Sequence, residues 1–359
     1  MQKNFQNGLD NLYVELTSNC NFRCQMCDIW QTKNKSLPFN LLNKALKQAR
    51  DLGANQVSFS GGEPLLYPNF EDALKLAKGL GFNVFVSTNG SLINNQNVEF
   101  LTHFIDHIGI SIEGNRKTHE KLRGQGNYDK SLRAIRLLKK KKILISLSMV
   151  VSKQSFQRMK SLVDLASKEN VYQIIFQPFI KSMLFKRPKK SQEFWIAKND
   201  LIKLSKEIEK TVNYAQKKKV DILSENLFRA IPNYFSLSGK IYPNRFCHIA
   251  QTSLVILKDG KVALCWGWAN MTLGNVEKNS LSEIFHGSKR REILRMIEQK
   301  KCPGCLSACS DIDFYHSTNE NNFRLLIKKM NRFYRISKFK GLSYGFSILK
   351  SKILRRNYK

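Results

Sequence analysis

The residues of this chain best equipped for chemistry are its eight cysteines, and they fall into two groups. Cys20, Cys24 and Cys27 share one short stretch near the start; Cys247, Cys265, Cys302, Cys305 and Cys309 lie near the end, with none between. No apolar run approaches the roughly 18 residues a membrane span needs, and the start, with Lys3 and Asp10 among polar Asn and Gln, lacks a signal-peptide core. A cytoplasmic location is therefore expected, and there clustered thiols read as metal ligands rather than disulfides. In Cys20-Asn-Phe-Arg-Cys24-Gln-Met-Cys27 one loop presents three thiolates, one short of the four that hold a 4Fe-4S cluster, so one iron would stay open to a further ligand. A zinc knuckle is the alternative, but it pairs C-x2-C with a second close pair, and no fourth cysteine lies nearby.

The elements that must carry these residues alternate in type. Short β-type runs at Leu12–Leu16, Gln56–Ser60, Asn83–Ser87, His107–Ile112, Leu144–Val151 and Gln173–Gln177 are separated by stretches with helical apolar spacing. Those helices are expected at Leu41–Leu52, Phe70–Leu80, Asn95–Phe104, Asp129–Lys140 and Gln157–Lys168. The pattern predicts an α/β fold, a partial (β/α)6 TIM-like barrel over residues 10–220, with chemistry at the C-terminal ends of the strands. A basic connector, Pro178–Lys190, precedes a long polar helix from Ser191 to about Lys218. A small cysteine-rich α+β domain follows over 245–312, with a hairpin turning at Lys258-Asp259-Gly260 and a helix over Leu281–Glu298. Residues 313–359 read as a basic amphipathic tail that either packs on the barrel or lies on an anionic membrane surface. The formal charge of +32 suits an anionic partner or reflects a general bias toward Lys and Asn.

The cysteine loop, directly after the first strand, resembles the C-x3-C-x-Φ-C motif of the radical S-adenosylmethionine (SAM) superfamily, with Met26 in place of the usual aromatic. One βα unit later, Ser60-Gly61-Gly62-Glu63-Pro64 is similar to that family's GGEP motif. The resemblance implies a 4Fe-4S cluster on Cys20, Cys24 and Cys27, S-adenosylmethionine on its open iron, and a donor such as flavodoxin or ferredoxin. It further implies that Met26 meets the adenine through its backbone and that Gly61, Gly62, Glu63 and Pro64 hold the amino group. Ser87, Thr88 and Asn89, with Ser111 and Glu113, are similar to positions that contact the ribose and methionine end. Arg123 matches by spacing an arginine that binds the methionyl carboxylate, a bidentate contact well suited to guanidinium.

Cys247, Gly260 and Cys265 fit the C-x(9-15)-G-x4-C opening of SPASM and twitch extensions, which carry auxiliary clusters. A full SPASM domain has seven cysteines for two clusters; this chain offers five, so the resemblance implies one auxiliary 4Fe-4S cluster on Cys247, Cys265, Cys302 and Cys305, with Cys309 left over. A zinc ribbon on the same four is the competing reading. The function expected is radical hydrogen abstraction from a small molecule, such as a sugar or lipid-linked intermediate, in a biosynthetic pathway. A peptide-modifying maturase is the alternative, set back by the little chain preceding the first strand. A zinc-stabilised nucleic-acid-binding protein would suit the charge but leaves the two loop motifs unexplained.

Overall fold

The computed structural model describes residues 8–141, 143–240, 247–266, 271–302 and 304–306. Cys309 and the tail from 313 to 359 lie outside these residues. Strands and helices alternate as β1 (Asn11–Thr17), α1 (Phe39–Asp51), β2 (Gln56–Gly61), α2 (Phe70–Gly79), β3 (Asn83–Thr88), α3 (Val98–Phe104), β4 (His107–Ser111), α4 (Arg116–Arg123), α5 (Asn127–Lys139), β5 (Leu144–Val151), α6 (Met159–Glu169), β6 (Gln173–Pro178) and α7 (Leu201–Lys217). Then come α8 (Glu225–Arg229), α9 (Ile231–Ser236), α10 (His248–Thr252), β7 (Ser253–Ile256), β8 (Lys261–Ala263), β9 (Thr272–Asn275), α11 (Leu281–His286) and α12 (Ser288–Glu298). β1 to β6 are parallel neighbours in chain order, the partial TIM-like barrel that the alternation predicts.

The hairpin of β7 and β8 does not stand apart from this sheet. β7 pairs in parallel with β1, Asn11 opposite Ser253 and Val14 opposite Ile256, so one sheet of nine strands runs from β6 to β9. Across the sheet, strand alternation sorts side chains onto two faces. Leu12, Val14, Leu16, Val57, Phe59, Val84, Val86, Ile108 and Ile110 are fully or nearly fully buried in one core with helix residues such as Leu42, Ala45 and Leu74. Each such side chain contributes about 1.5–3 kcal/mol by leaving water. The opposite, inner face is mixed: Ser60 pairs with Glu15, Ser87 with Gly109, Gly109 with Ser146 and Ser111 with Ser148, but Ser58 lies between Tyr13 and Phe85, and Ser148 pairs with Ile175.

Three local departures from the sequence pattern have physical causes. The helix expected from Ser191 begins only at Leu201, because Phe194 and Ile196 are drawn into the core, Phe194 against Phe179, through 3-10 turns and an extended Ala197. The single helix expected over Leu281–Glu298 breaks at Gly287, whose ψ of 156° is extended. α4 is too polar to show apolar spacing; it is started by the Asn115 side chain, which accepts from the Thr118 N–H. Among the described residues no helix is long and apolar enough to cross a membrane.

The turn leaving β2 is the tightest junction. An added Cβ on Gly62 would collide with the Asn19 carbonyl and lie 2.7 Å from that of Ser18, whereas one on Gly79 would meet nothing within 4 Å. Gly62→Ala is therefore expected to destabilise the protein by about 1–3 kcal/mol and to displace the cysteine loop. Gly79→Ala, at a helical position, should be neutral or stabilising by about 0.5–1 kcal/mol. Thermal melts of both variants, with iron content after reconstitution, check this pair of outcomes.

Candidate active site

Residues 18–36 form the loop after β1, and its cysteines are held from several sides. Gly62 N–H donates to the Thr17 carbonyl (2.8 Å) and Glu63 N–H to that of Asn19 (2.7 Å), so the Gly61-Gly62-Glu63 turn lies directly on the backbone leading into Cys20. The two glycines are thus required by backbone packing against β1, whatever ligand they face. Trp30 Nε1 donates to the Cys24 carbonyl (3.2 Å), and the Gln25 N–H and side chain both donate to the end of α4, at Leu122 and Lys121. Met26 is buried in the core.

Burial pushes the thiol of Cys20 up to about 12 and that of Cys27 up to about 11, and raises Cys24 as well. As free thiols all three stay protonated at neutral pH; a bound cation would favour the thiolates. The guanidinium of Arg123 opposes the burial at Cys24, with Nη1 3.8 Å from Sγ. Among the described residues no three His, Cys, Asp or Glu are gathered to the spacing of one shared ion. Cluster ligands each bind a separate iron and do not require it. The soft donor set, the buried Asn19 Oδ1 without a hydrogen-bond partner among the described residues, and the half-buried hydroxyls of Ser60, Ser87 and Ser111 fit a cluster with a small polar cofactor beside it.

The carboxylates expected at the cofactor are buried and engaged within the protein. Glu63 accepts from Thr88 Oγ1 (2.6 Å), the Asn89 N–H (2.8 Å) and the Leu65 N–H (3.3 Å), tying β2 to β3. Burial raises its carboxyl to about 7 against these three donors. Pro64, buried, opens the 3-10 turn that Glu63 caps. Asn89 donates to Asn21 Oδ1 (2.9 Å), which links the loops after β3 and β1. Glu113, fully buried, accepts from Arg123 Nε (2.9 Å) and Nη2 (2.6 Å) and from the Val150 N–H (3.0 Å). Arg123, expected from its spacing at the methionyl carboxylate, lies beside Cys24, where Glu113 takes two of its donors and leaves Nη1 toward the sulfur.

Two partnerships here had no local sequence signal. Asp28, wholly buried, accepts from the N–H groups of Lys186 (2.8 Å) and Arg187 (2.9 Å) and from Arg187 Nε (2.5 Å), across the whole barrel core in sequence. His119 is buried with Nδ1 accepting from the Glu113 N–H (3.1 Å), so its proton sits on Nε2, which has no hydrogen-bond partner among the described residues.

Cys247, Cys265 and Cys302 pack around one small apolar cluster formed by Ala250, Leu264, Ile293, Leu294 and Ile297. The Gly304 N–H points at Cys302 Sγ (3.4 Å). Cys305 lies close enough to Tyr234 on α9 that, after burial, its charge raises the phenol. Gln177, at the end of β6, donates to the Leu306 carbonyl (3.1 Å), so the Cys302–Cys305 turn sits beside the far edge of the barrel. No disulfide joins the described cysteines.

Burial and Arg123 lower the His119 imidazole to about 3, against an ordinary value near 6.5. Stability from this group is complete above pH 6.5 and declines as pH falls from there toward 3, because the unfolded chain takes up the proton first. Glu63, raised to about 7, works in the opposite direction over this range, so the His119 contribution is read as a difference: between pH 7 and 5, denaturant melts of the wild type should lose stability relative to His119→Asn, whose amide oxygen can replace Nδ1. Glu113→Gln strands a buried guanidinium and should cost about 3–5 kcal/mol in the same melts at pH 7.

Comparison with known proteins agrees with this architecture. Residues 14–166 match the radical SAM superfamily and residues 247–310 the SPASM iron-sulfur cluster-binding domain. Similar proteins include the Fe-coproporphyrin III synthase of Methanosarcina barkeri, 24% identical over 82% of this chain and 80% of that protein. The cysteine-type anaerobic sulfatase-maturating enzyme of Clostridium novyi is 25% identical over 88% and 92%. Among solved structures, anSMEcpe with bound AdoMet and a Cp18Cys peptide superposes with a TM-score of 0.64 at 19% identity, over 96% of this chain and all of that one. SuiB of Streptococcus suis, bound to S-adenosylmethionine, gives 0.64 at 19% over 80% and 68%. A cysteine loop at the end of β1, a glycine-acid turn locked onto it and a cysteine-bearing hairpin continuing the same sheet are thus the parts of one enzyme class: this chain is a radical SAM enzyme with a C-terminal SPASM iron-sulfur domain.

Proposed function

We propose that Cys20, Cys24 and Cys27 hold the SAM-binding 4Fe-4S cluster, and that the Gly61-to-Pro64 turn, Ser87, Asn89, Ser111 and the Met26 backbone line the cofactor's seat. When bound, these groups supply a 5′-deoxyadenosyl radical able to abstract hydrogen from a substrate. Arg123, held by Glu113, keeps a positive charge against Cys24, and Trp30 fixes the carbonyl of the same residue. Cys247, Cys265, Cys302 and Cys305 hold one auxiliary 4Fe-4S cluster.

The substrate we infer is a small, uncharged, hydroxyl-rich molecule such as a sugar or a lipid-linked sugar. One observation carries this reading: hydroxyls recur along the inner wall of the barrel at Ser58, Ser60, Ser87, Ser111, Ser146 and Ser148, interspersed with rings and aliphatic groups such as Tyr13, Phe85 and Ile175. Its carboxylate, Glu15, is neutralised by Lys258 at 2.9 Å. Hydroxyl walls reward a ligand that exchanges hydrogen bonds and penalise one that leaves them unpaired. A peptide substrate is the second reading, favoured by the near full-length similarity to a sulfatase-maturating enzyme.

Anaerobically reconstituted protein with a strong reductant should convert S-adenosylmethionine to 5′-deoxyadenosine and methionine, and Cys24→Ala should abolish this. Cys265→Ala or Cys302→Ala should lose one cluster's worth of iron and retain that cleavage; zinc at full occupancy in place of the second cluster would contradict the auxiliary-site assignment. Extracts of cells grown in deuterated medium, split into small-molecule and peptide fractions, identify the substrate class. Deuterium in 5′-deoxyadenosine is expected from the small-molecule fraction, and its appearance from the peptide fraction alone would favour the maturase reading.

A further inference from the structure

The connector after β6 is bound to the cysteine loop more closely than to anything else near it, and its outer surface has a distinct chemistry. Its Met183 carbonyl accepts from the Asp28 N–H (2.9 Å); Lys186 Nζ donates to the Gln31 carbonyl (3.0 Å); Arg187 Nη2 donates to the carbonyl of Cys27 (3.0 Å). Met183 and Phe185 stand 43% and 54% exposed here, two of the few large apolar side chains that the described residues leave in water. Beside them in the connector Lys186 and Lys189 are exposed, and Arg23 of the cysteine loop, also exposed, shares the Trp30 ring with Arg187. The acid of these two segments, Asp28, is buried and already paired, whereas helical faces elsewhere mix charges, as Glu71, Asp72 and Lys75 do on α2.

We propose that this surface, Met183 and Phe185 flanked by those cations, is the docking site for a small acidic one-electron carrier protein that reduces the cluster proposed on Cys20, Cys24 and Cys27. A small apolar patch beside charges of one sign fits a transient partner that is steered by the opposite charge and released quickly. A membrane is the poorer fit, since the apolar part is two side chains on an irregular segment rather than an amphipathic face. The Arg187 contact to Cys27 brings the partner's surface to the backbone of a cluster ligand. At each encounter the carrier gives up one electron and the cluster takes it; no bond forms or breaks and no proton moves.

The inference rests on the proposed cluster, and its test separates the two. The probe is a flavodoxin in its hydroquinone form, with binding followed by titration calorimetry and cluster reduction by absorbance and electron paramagnetic resonance. Lys186→Glu/Lys189→Glu and Phe185→Ala should each weaken flavodoxin binding and slow reduction by about tenfold or more. Raised salt should slow the wild type, since the Debye length is only about 8 Å at physiological ionic strength. The distant pair Arg133→Glu/Lys140→Glu should match wild type, which rules out a bulk effect of net charge. Dithionite, which needs no docking, should reduce every variant equally. Wild-type binding and reduction rates in the connector variants, or equal losses in the distant pair, would overturn the docking site. Failure of dithionite to reduce any cluster in the wild type would instead remove the reading on which it rests. If the connector variants lost binding to anionic phosphatidylserine vesicles and kept their response to flavodoxin, the surface would be a membrane contact and the proposal wrong.

Discussion

The seating of one backbone on another is the constraint from which the rest of this site follows. Where β2 ends, Gly61 and Gly62 lie against Thr17, Ser18 and Asn19 so closely that no side chain fits, and two amide hydrogen bonds close the junction. The conformation demands it as well, since Gly61 adopts φ of +136°, which L side chains rarely adopt. Because the turn is fixed, Glu63 is driven inward, and there it satisfies Thr88 and Asn89 at the end of β3. Asn89 in turn reaches Asn21 in the cysteine loop. Three strand ends are thereby tied into a ring whose members support one another, and a loop that would otherwise be free to wander presents its thiols from a fixed frame.

Charge is handled by the same economy of partners. Each buried carboxylate near the strand ends meets cations or N–H donors from another element: Glu63 the β3 end, Glu113 Arg123 of α4, Asp28 Arg187 of the connector, and Glu15 Lys258 of the β7–β8 turn. An unpaired charge in these positions would be severely penalised, so each pair fixes the relative placement of two segments far apart in sequence. What remains facing the interior is a mixture of hydroxyls with groups such as Tyr13, Phe85 and Ile175, a surface that binds through geometry rather than through charge.

The strands and the cysteine loop were legible because their causes are local. Leu144–Val151 can be read residue for residue from β-branched and apolar composition, and the cysteine spacing stands in one loop. The glycines were legible as a position but not as a cause: they suggest room for a ligand, whereas their nearest neighbours are main-chain atoms of β1. Arg123 could be placed by spacing, but its hold on Glu113 depends on α4, a helix whose polar sequence hides it from any apolar period. Arg187 and Asp28 are separated by more than half the barrel, and no pattern in either segment names the other. An acid immediately after Cys27 was the available hint, since a carboxylate next to an anionic cluster site needs a cation, though not a particular one.

The placement of β7 beside β1 explains why the second group of cysteines belongs to the same machine. The barrel sheet has two flanks. β6 is covered at Ile174 by a single bridge to Ile222, and β1 is continued by the hairpin that carries Cys265. From the hairpin, α11 and α12 lead the chain back until Gln177 of β6 holds the Leu306 carbonyl. The cysteine region therefore reaches both flanks of an open barrel, through β7 beside β1 and through Leu306 beside the end of β6.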